Sequence, residues 1–314
     1  MTSTISPIAP DLDPGFVTML GRLSRLSVGK GVDAYADIDW DAPELSIDPW
    51  DLRHRLDEVD PVAATDWYRG LSPQRQAYVG MARISSCLKV GWHFENLLQQ
   101  ALLHRALYLP DGSPEFRYSL HEVIEETQHT LMFNELINRA GIPVRGMPRW
   151  LRRLAEWRVP LIASRLPELF FVMVLGGEDP IDHLQRKLLA VGGGHPLVEQ
   201  IMRIHIAEEA RHLSYARSAL KQLAPRLSPW RRQLLAISAP LVLGVMVRLM
   251  LVPGRDVART AEIPSGVVRQ AFRTPAGRQL LRDAAARPRE LLGELGLITP
   301  LGRLVWSAVG LWDN

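Results

Sequence analysis

His205-Ile206-Ala207-Glu208-Glu209-Ala210-Arg211-His212 lies inside a long amphipathic pattern and sets two histidines and two carboxylates close together. At about 100° per residue, His205, Glu209 and His212 fall at roughly 0°, 40° and −20°, so the three share one stripe of a helix. That stripe would otherwise be core. Alone, it reads equally well as a hydrogen-bonded core histidine beside solvated glutamates, and the rest of the chain decides.

A second segment, Glu125-Glu126-Thr127-Gln128-His129, repeats the Glu-Glu-x-x-His order. A lone glutamate, Glu95, precedes Glu126 by the same interval at which Glu178 precedes Glu209. The offset between the two halves is likewise constant, since Glu95 to Glu178 spans as much chain as Glu126 to Glu209. Two antiparallel helix pairs related by a pseudo-twofold would gather Glu95, Glu126, His129, Glu178, Glu209 and His212 around one point. One Glu from each of two helices with Glu-x-x-His from each of two others is the donor set of a carboxylate-bridged dinuclear site. His205 is a seventh candidate, one turn before Glu209.

The helices that carry these residues are punctuated in the sequence. Ser72-Pro73 caps a helix that runs to about Tyr108 and holds Glu95, and Leu109 to Pro114 ends it. Glu115 to Ala140 forms the next, stopped by Gly141 with Pro143 beyond. Gly141 to Pro160 reads as an irregular connection rich in Arg and Trp, leading to a helix over Leu161 to Val191. Gly176, Gly177 and Pro180 are costly inside a helix, so a kink or widened turn is expected beside Glu178. Gly192 to Gly194 separates it from Pro196 to Leu223, which carries the opening stretch. Upstream, Phe16 to Leu26 is a short helix, an extended arm follows to Asp48, and Pro49 to Leu56 and Pro61 to Leu71 are short helices. Ser228 to Asn314 is helical with turns. No period-2 strand pattern appears, so the fold class is all-α. Residues 1–48 are a tail, short helix and arm; residues 49–314 form one helical domain, with a bundle core over about 72–223 and extra helices over 228–314.

Composition narrows the chemistry. The 314 residues, 47% hydrophobic, suffice for a sizeable core. A formal charge of +3 is too mild to argue for nucleic acid. The single cysteine, Cys87, excludes a disulfide framework or a Cys-built metal site, so a metal must be held by His and carboxylate. Met1 to Pro14 lacks the features of a signal peptide and reads as a disordered tail, which with the reducing compartment implied by one thiol gives a cytoplasmic expectation. The apolar run Leu234 to Val252 is broken by Pro240, Gly244 and Arg248 and reads as a buried helix, not a membrane span.

On these residues the sequence resembles the ferritin-like di-iron oxygenases. Within them it is similar to the p-aminobenzoate N-oxygenase family, marked by a third histidine one turn before the second Glu-x-x-His, here His205-x-x-x-Glu209-x-x-His212. The resemblance covers roughly Ser72 to Leu223 by motif and implies a ferritin-like four-helix bundle with additional N- and C-terminal helices. Glu95, Glu126 and His129 would serve one metal, and Glu178, His205, Glu209 and His212 the other, with one or two glutamates bridging. Gln128 stands where many relatives carry arginine. Glu125 and Glu208 occupy matching positions and would accept hydrogen bonds from the ligand histidines of the opposite helix pair, with Arg211 beside them.

The donor set suits two iron ions, or manganese or a mixed pair, sharing O2 as co-substrate. The activity implied is an O2-dependent oxygenase acting on a small organic substrate, including N-oxygenation of an arylamine. The alternative is a ferroxidase-type metal-binding bundle with no organic substrate. No Gly-x-Gly-x-x-Gly loop follows a strand, so electrons would come from an external donor such as ferredoxin or a reductase. A homodimer is the expected assembly. His54, His93, His104, His121, His183 and His195 lack the registry of the two halves and read as structural.

Overall fold

The computed structural model describes residues 12–312; the expected disordered tail lies, through residue 11, outside the described residues. The order is α1 (Pro14–Lys30), α2 (Asp66–Arg69), α3 (Pro73–Ala106), α4 (Pro114–Ala140), α5 (Arg149–Arg165), α6 (Pro167–Val191), α7 (Pro196–Leu223), α8 (Pro229–Leu251), α9 (Arg255–Thr260), α10 (Ser265–Arg273), α11 (Pro275–Ala284), α12 (Ala286–Glu294) and α13 (Pro300–Ala308). No strand occurs among the described residues.

Local chemistry sets the ends of the four long helices. The Ser72 hydroxyl accepts from the Arg75 amide, and the Ser113 hydroxyl from the Glu115 amide, each ahead of a first-turn proline. The His195 ring caps α7 through the Leu197 amide. Gly141 ends α4 at φ +63°, the left-handed conformation that glycine adopts without a Cβ clash.

Short loops return α3 onto α4 and α6 onto α7, and the two hairpins face each other to make the four-helix core. Buried Leu98, Leu102, Met132, Leu136, Ile201 and Leu213 belong to one hydrophobic cluster there. α1 packs across α4 and α7, while α8 covers α6 and is itself covered by α13.

Three expectations need correction. The supposed irregular connection contains α5, and the break falls at Leu166, whose extended φ of −133° suits a residue preceding proline. α6 keeps the α pattern through Gly176, Gly177 and Pro180, so the expected widened turn is absent. Gly177 answers a packing need instead, because a Cβ there would stand 2.1 Å from the Phe94 ring. The first helix also runs longer than expected, from a cap in which the Asp13 carboxylate accepts from the Phe16 amide.

α8 is the expected apolar run. It is long and apolar enough to cross a membrane by length and composition, yet Leu235, Ala239, Leu243 and Val247 are buried within the protein.

Candidate metal centre

Each core helix turns carboxylates or histidines inward at the same level: Glu95 from α3, Glu126 and His129 from α4, Glu178 from α6, and His205, Glu209 and His212 from α7. All seven are buried. Burying four carboxylates beside three imidazoles without water would be prohibitive unless charges were exchanged among them or with a cation.

The distances show how closely they meet. His129 Nδ1 lies 3.3 Å from Glu126 Oε2 and 3.5 Å from Glu209 Oε1. His212 Nδ1 lies 3.1 Å from Glu126 Oε1 and 3.1 Å from Glu209 Oε1. His205 Nε2 lies 3.6 Å from Glu95 Oε1 and 3.7 Å from Glu209 Oε1. Glu126 and Glu209 thus stand between the histidines, where bridging carboxylates would be. Groups whose donor atoms lie within 4.8 Å of one another include Glu95 with His129 and His205, Glu126 with His129 and Glu209, and Glu178 with His205 and Glu209. Glu178 Oε1 and Glu209 Oε2 are buried without a hydrogen-bond partner. Unsatisfied carboxylate oxygens at the meeting point of oxygen and nitrogen donors fit a pair of divalent metal ions.

The outward ring nitrogens are fixed from behind. His129 Nε2 lies 2.9 Å from Glu208 Oε2, and His212 Nε2 lies 2.7 Å from Glu125 Oε2, so each α4 or α7 histidine is held by a carboxylate of the opposite hairpin. A carboxylate there keeps the proton on Nε2 and leaves Nδ1 to face a metal. His205 is held differently, with Nδ1 3.0 Å from the Gln185 amide oxygen and Nε2 pointing inward. Arg211 donates to Glu125 at 2.6 Å and to Glu208 at 3.3 Å, tying both together.

The N-terminal arm, which shows nothing chemical in its sequence, closes this layer. The Val32 amide donates to Glu208 at 3.3 Å and the Ala34 amide to Gln128 at 2.8 Å. Gln128, which departs from the usual motif, is therefore the arm's anchor on α4.

Electrostatics follow from burial. Removal from water, then mutual repulsion, pushes Glu95 and Glu178 well above the usual carboxylate range and raises Glu209 as well. Burial also opposes charge on Glu126, but His212 and His129 hold it below the usual range. Burial likewise opposes charge on His129 and His212, yet the glutamates around them keep both well above an ordinary histidine. His205 goes the other way, driven well down by burial and by His129. Burial acts against Glu125 too, but its bonds to His212 and Arg211 bring it to about 2. A cation would displace protons from this cluster and relieve the carboxylate repulsion.

One residue of the cluster escaped the motif reading. Glu122, one turn before Glu126, is buried, has no hydrogen-bond partner at Oε2, and groups with Glu126 and His212. It precedes His205 by the same offset that separates Glu126 from Glu209, so the registry itself could have found it.

Beside Glu95, Glu178 and His205 lies a small cavity of about 10 Å³, walled also by Phe94 and Phe133. Cys87, Leu88, Ile181, Gln185 and Met250 line both this space and a larger cavity of about 180 Å³ that reaches His54, His195 and Glu199. The other histidines stay outside the cluster. His93 Nδ1 accepts from the Met147 amide, and His54 stacks on His195 with ring centroids 5.1 Å apart.

A family model described as "P-aminobenzoate N-oxygenase AurF" matches residues 13–296. The chain belongs to the p-aminobenzoate N-oxygenase AurF family. That membership fits the helical, ferritin-like di-iron architecture and makes the protein an oxygenase by family. Relatives include the uncharacterized protein MT0908 of Mycobacterium tuberculosis, 42% identical over 296 residues that make up 94% of this chain and 87% of the relative. The uncharacterized protein Mb0909 of Mycobacterium bovis is 41% identical over the same shares.

Proposed function

We propose that this AurF-family protein is an O2-dependent di-iron oxygenase acting on a small organic substrate, with N-oxygenation of an arylamine as the reaction. The observation that carries the reading is the convergence of seven buried donors on one point that adjoins a largely apolar cavity. Glu95, Glu126, His129, Glu178, His205, Glu209 and His212 would hold two iron ions. When bound, the metals would supply reductive activation of O2.

The chain's own residues set the conditions. Glu125 and Glu208, clamped by Arg211, orient His212 and His129, and Gln185 orients His205. Phe94, Phe133 and Met250 keep bulk water from the space beside Glu95 and Glu178. The cavity beyond Cys87 and Ile181, walled largely by aliphatic side chains, would seat an uncharged ring, with Gln185 among the polar groups that could orient an amine. Electrons would come from a ferredoxin or reductase in the cytoplasm. A ferroxidase-type centre without organic substrate is less well supported, because it has no use for this cavity.

The test combines metal analysis with rapid mixing. Protein loaded with two irons per chain, reduced and mixed with O2, is expected to give a transient optical change that Glu126→Ala abolishes. No O2-dependent change in the fully loaded protein would refute the reading. A change unaffected by candidate arylamines, with ferric iron released, would favour the ferroxidase.

A further inference from the structure

α5 turns an apolar stripe outward. Trp150, Leu154, Trp157 and Leu161 fall within about 60° of one another on its surface, and all are exposed, Trp157 at 83% and Trp150 at 69%. Exposed Arg149 and Arg153 border the stripe on one side, and exposed Arg158 and Arg165 on the other. Among the described residues, none of these four side chains makes an ion pair with an acidic group. The one acid of α5, Glu156, faces Arg152 at 3.4 Å.

α8 carries a second exposed apolar stripe. Trp230, Leu234, Leu241 and Val245 lie along one stripe of it and are exposed. Between α5 and α8 opens an apolar cavity of about 280 Å³, walled by Leu151 and Leu241 and floored by Phe94, Phe170 and Met173. Isolated exposed apolar residues are ordinary, but a helix presenting two tryptophans and two leucines on one exposed stripe is not.

We propose that the α5 stripe docks on an anionic phospholipid bilayer, with the groove between α5 and α8 taking up a hydrocarbon chain. Tryptophan indoles seat at the level of the headgroups, aliphatic side chains enter the acyl boundary, and flanking guanidinium groups meet lipid phosphates. Charge decides against the main competitor. A twofold contact between two copies through this face would oppose arginine with arginine, whereas an anionic bilayer complements every one of them. Phe94 is both the groove's floor and a wall of the small cavity at Glu95 and Glu178, so a chain in the groove would end one aromatic ring from the cluster. The docking proposal does not depend on which reaction the centre performs.

The experiment is cosedimentation of the full chain with vesicles of phosphatidylcholine alone or mixed with phosphatidylglycerol, at low and high salt. Binding to the anionic vesicles is expected to exceed binding to the neutral ones at least tenfold and to weaken with salt. At about fivefold per arginine, the double variant Arg153→Glu, Arg158→Glu should lose at least about 25-fold. A separate pair, Trp150→Ser and Trp157→Ser, should lose at least tenfold with charge unchanged. Both pairs lie on the surface, and thermal melts identify any variant that fails to fold, leaving the other pair as the test. Equal binding to both vesicle types, or binding that survives the folded variants, overturns the proposal. So does a dimer by light scattering that the tryptophan substitutions dissociate, which would assign the face to a second copy.

Discussion

Replacing Gly177 with alanine tests how closely α3 and α6 must approach at the centre. The added Cβ would stand 2.1, 2.3 and 2.6 Å from three atoms of the Phe94 ring, where ordinary contact begins near 3.4 Å, so the ring must retreat by about 1.3 Å. Phe94 is buried between two helices, and such overpacking costs about 1–3 kcal/mol. Helix propensity returns up to about 1 kcal/mol on Gly→Ala. The net expectation for Gly177→Ala is a loss of about 0–2 kcal/mol, read by chemical denaturation. Gly176→Ala is the control: its Cβ would meet the flexible end of Leu243 at 3.2 Å, and propensity should win there. Adding Phe94→Leu should rescue Gly177→Ala, giving a favourable coupling in a double-mutant cycle. If Gly177→Ala proves as stable as Gly176→Ala, or if Phe94→Leu gives no rescue, the close-approach argument is wrong.

Glu125→Gln and Glu208→Gln should each weaken metal binding about 10- to 100-fold, measured by chelator competition, because each leaves a histidine without its orienting carboxylate. Burial, and then the neighbouring His195, lowers His54 to about 4. Between an ordinary histidine value and about 4 the unfolded chain binds the extra proton, so stability falls as pH falls through that window. Urea midpoints for His54→Gln should therefore vary less between pH 7 and pH 4.5 than those of the parent. Trp40→Ala should cost about 3–5 kcal/mol, since Trp40 is buried, its indole donates to the Ala34 carbonyl at 2.6 Å, and the Arg139 guanidinium lies over its ring. Faster hydrogen exchange at the Val32 amide should accompany that loss.

The long helices were legible because their ends carry chemistry: Ser72 and Gly141 act as the caps their residue types announce. Six of the seven clustered residues were legible because one constant offset relates Glu95 to Glu178, Glu126 to Glu209 and His129 to His212, and His205 because it stands one turn before Glu209 on the same stripe. α5 was not, for a physical reason. It buries only Val159 and Ala163 and sends its larger apolar residues to solvent, so no core-facing stripe marks it, and Pro148 and Pro160 mimic a broken connection. Glu122 carries no motif signal, because a glutamate stands where its counterpart His205 is a histidine, so register keeps the repeat that residue type breaks. Gly176 and Gly177 suggested a widened turn, but the conformational freedom of glycine and its lack of a Cβ are separate properties, and Gly177 serves through the second. The arm's role could not be read at all. Its backbone amides, which every sequence supplies, make the contacts to Glu208 and Gln128.

Those two amide bonds also carry a consequence for how the chain assembles. Val32 and Glu208 are 176 positions apart, and Ala34 and Gln128 are 94 apart. Contacts that remote form late, after the local hairpins have closed. The arm is then the last latch on this layer: until it docks, Glu208 lacks one of its donors. Pulse-labelling exchange during refolding should show the Val32 amide protected after the α4 and α7 backbones, and metal added once the latch has closed should load more slowly than metal added before.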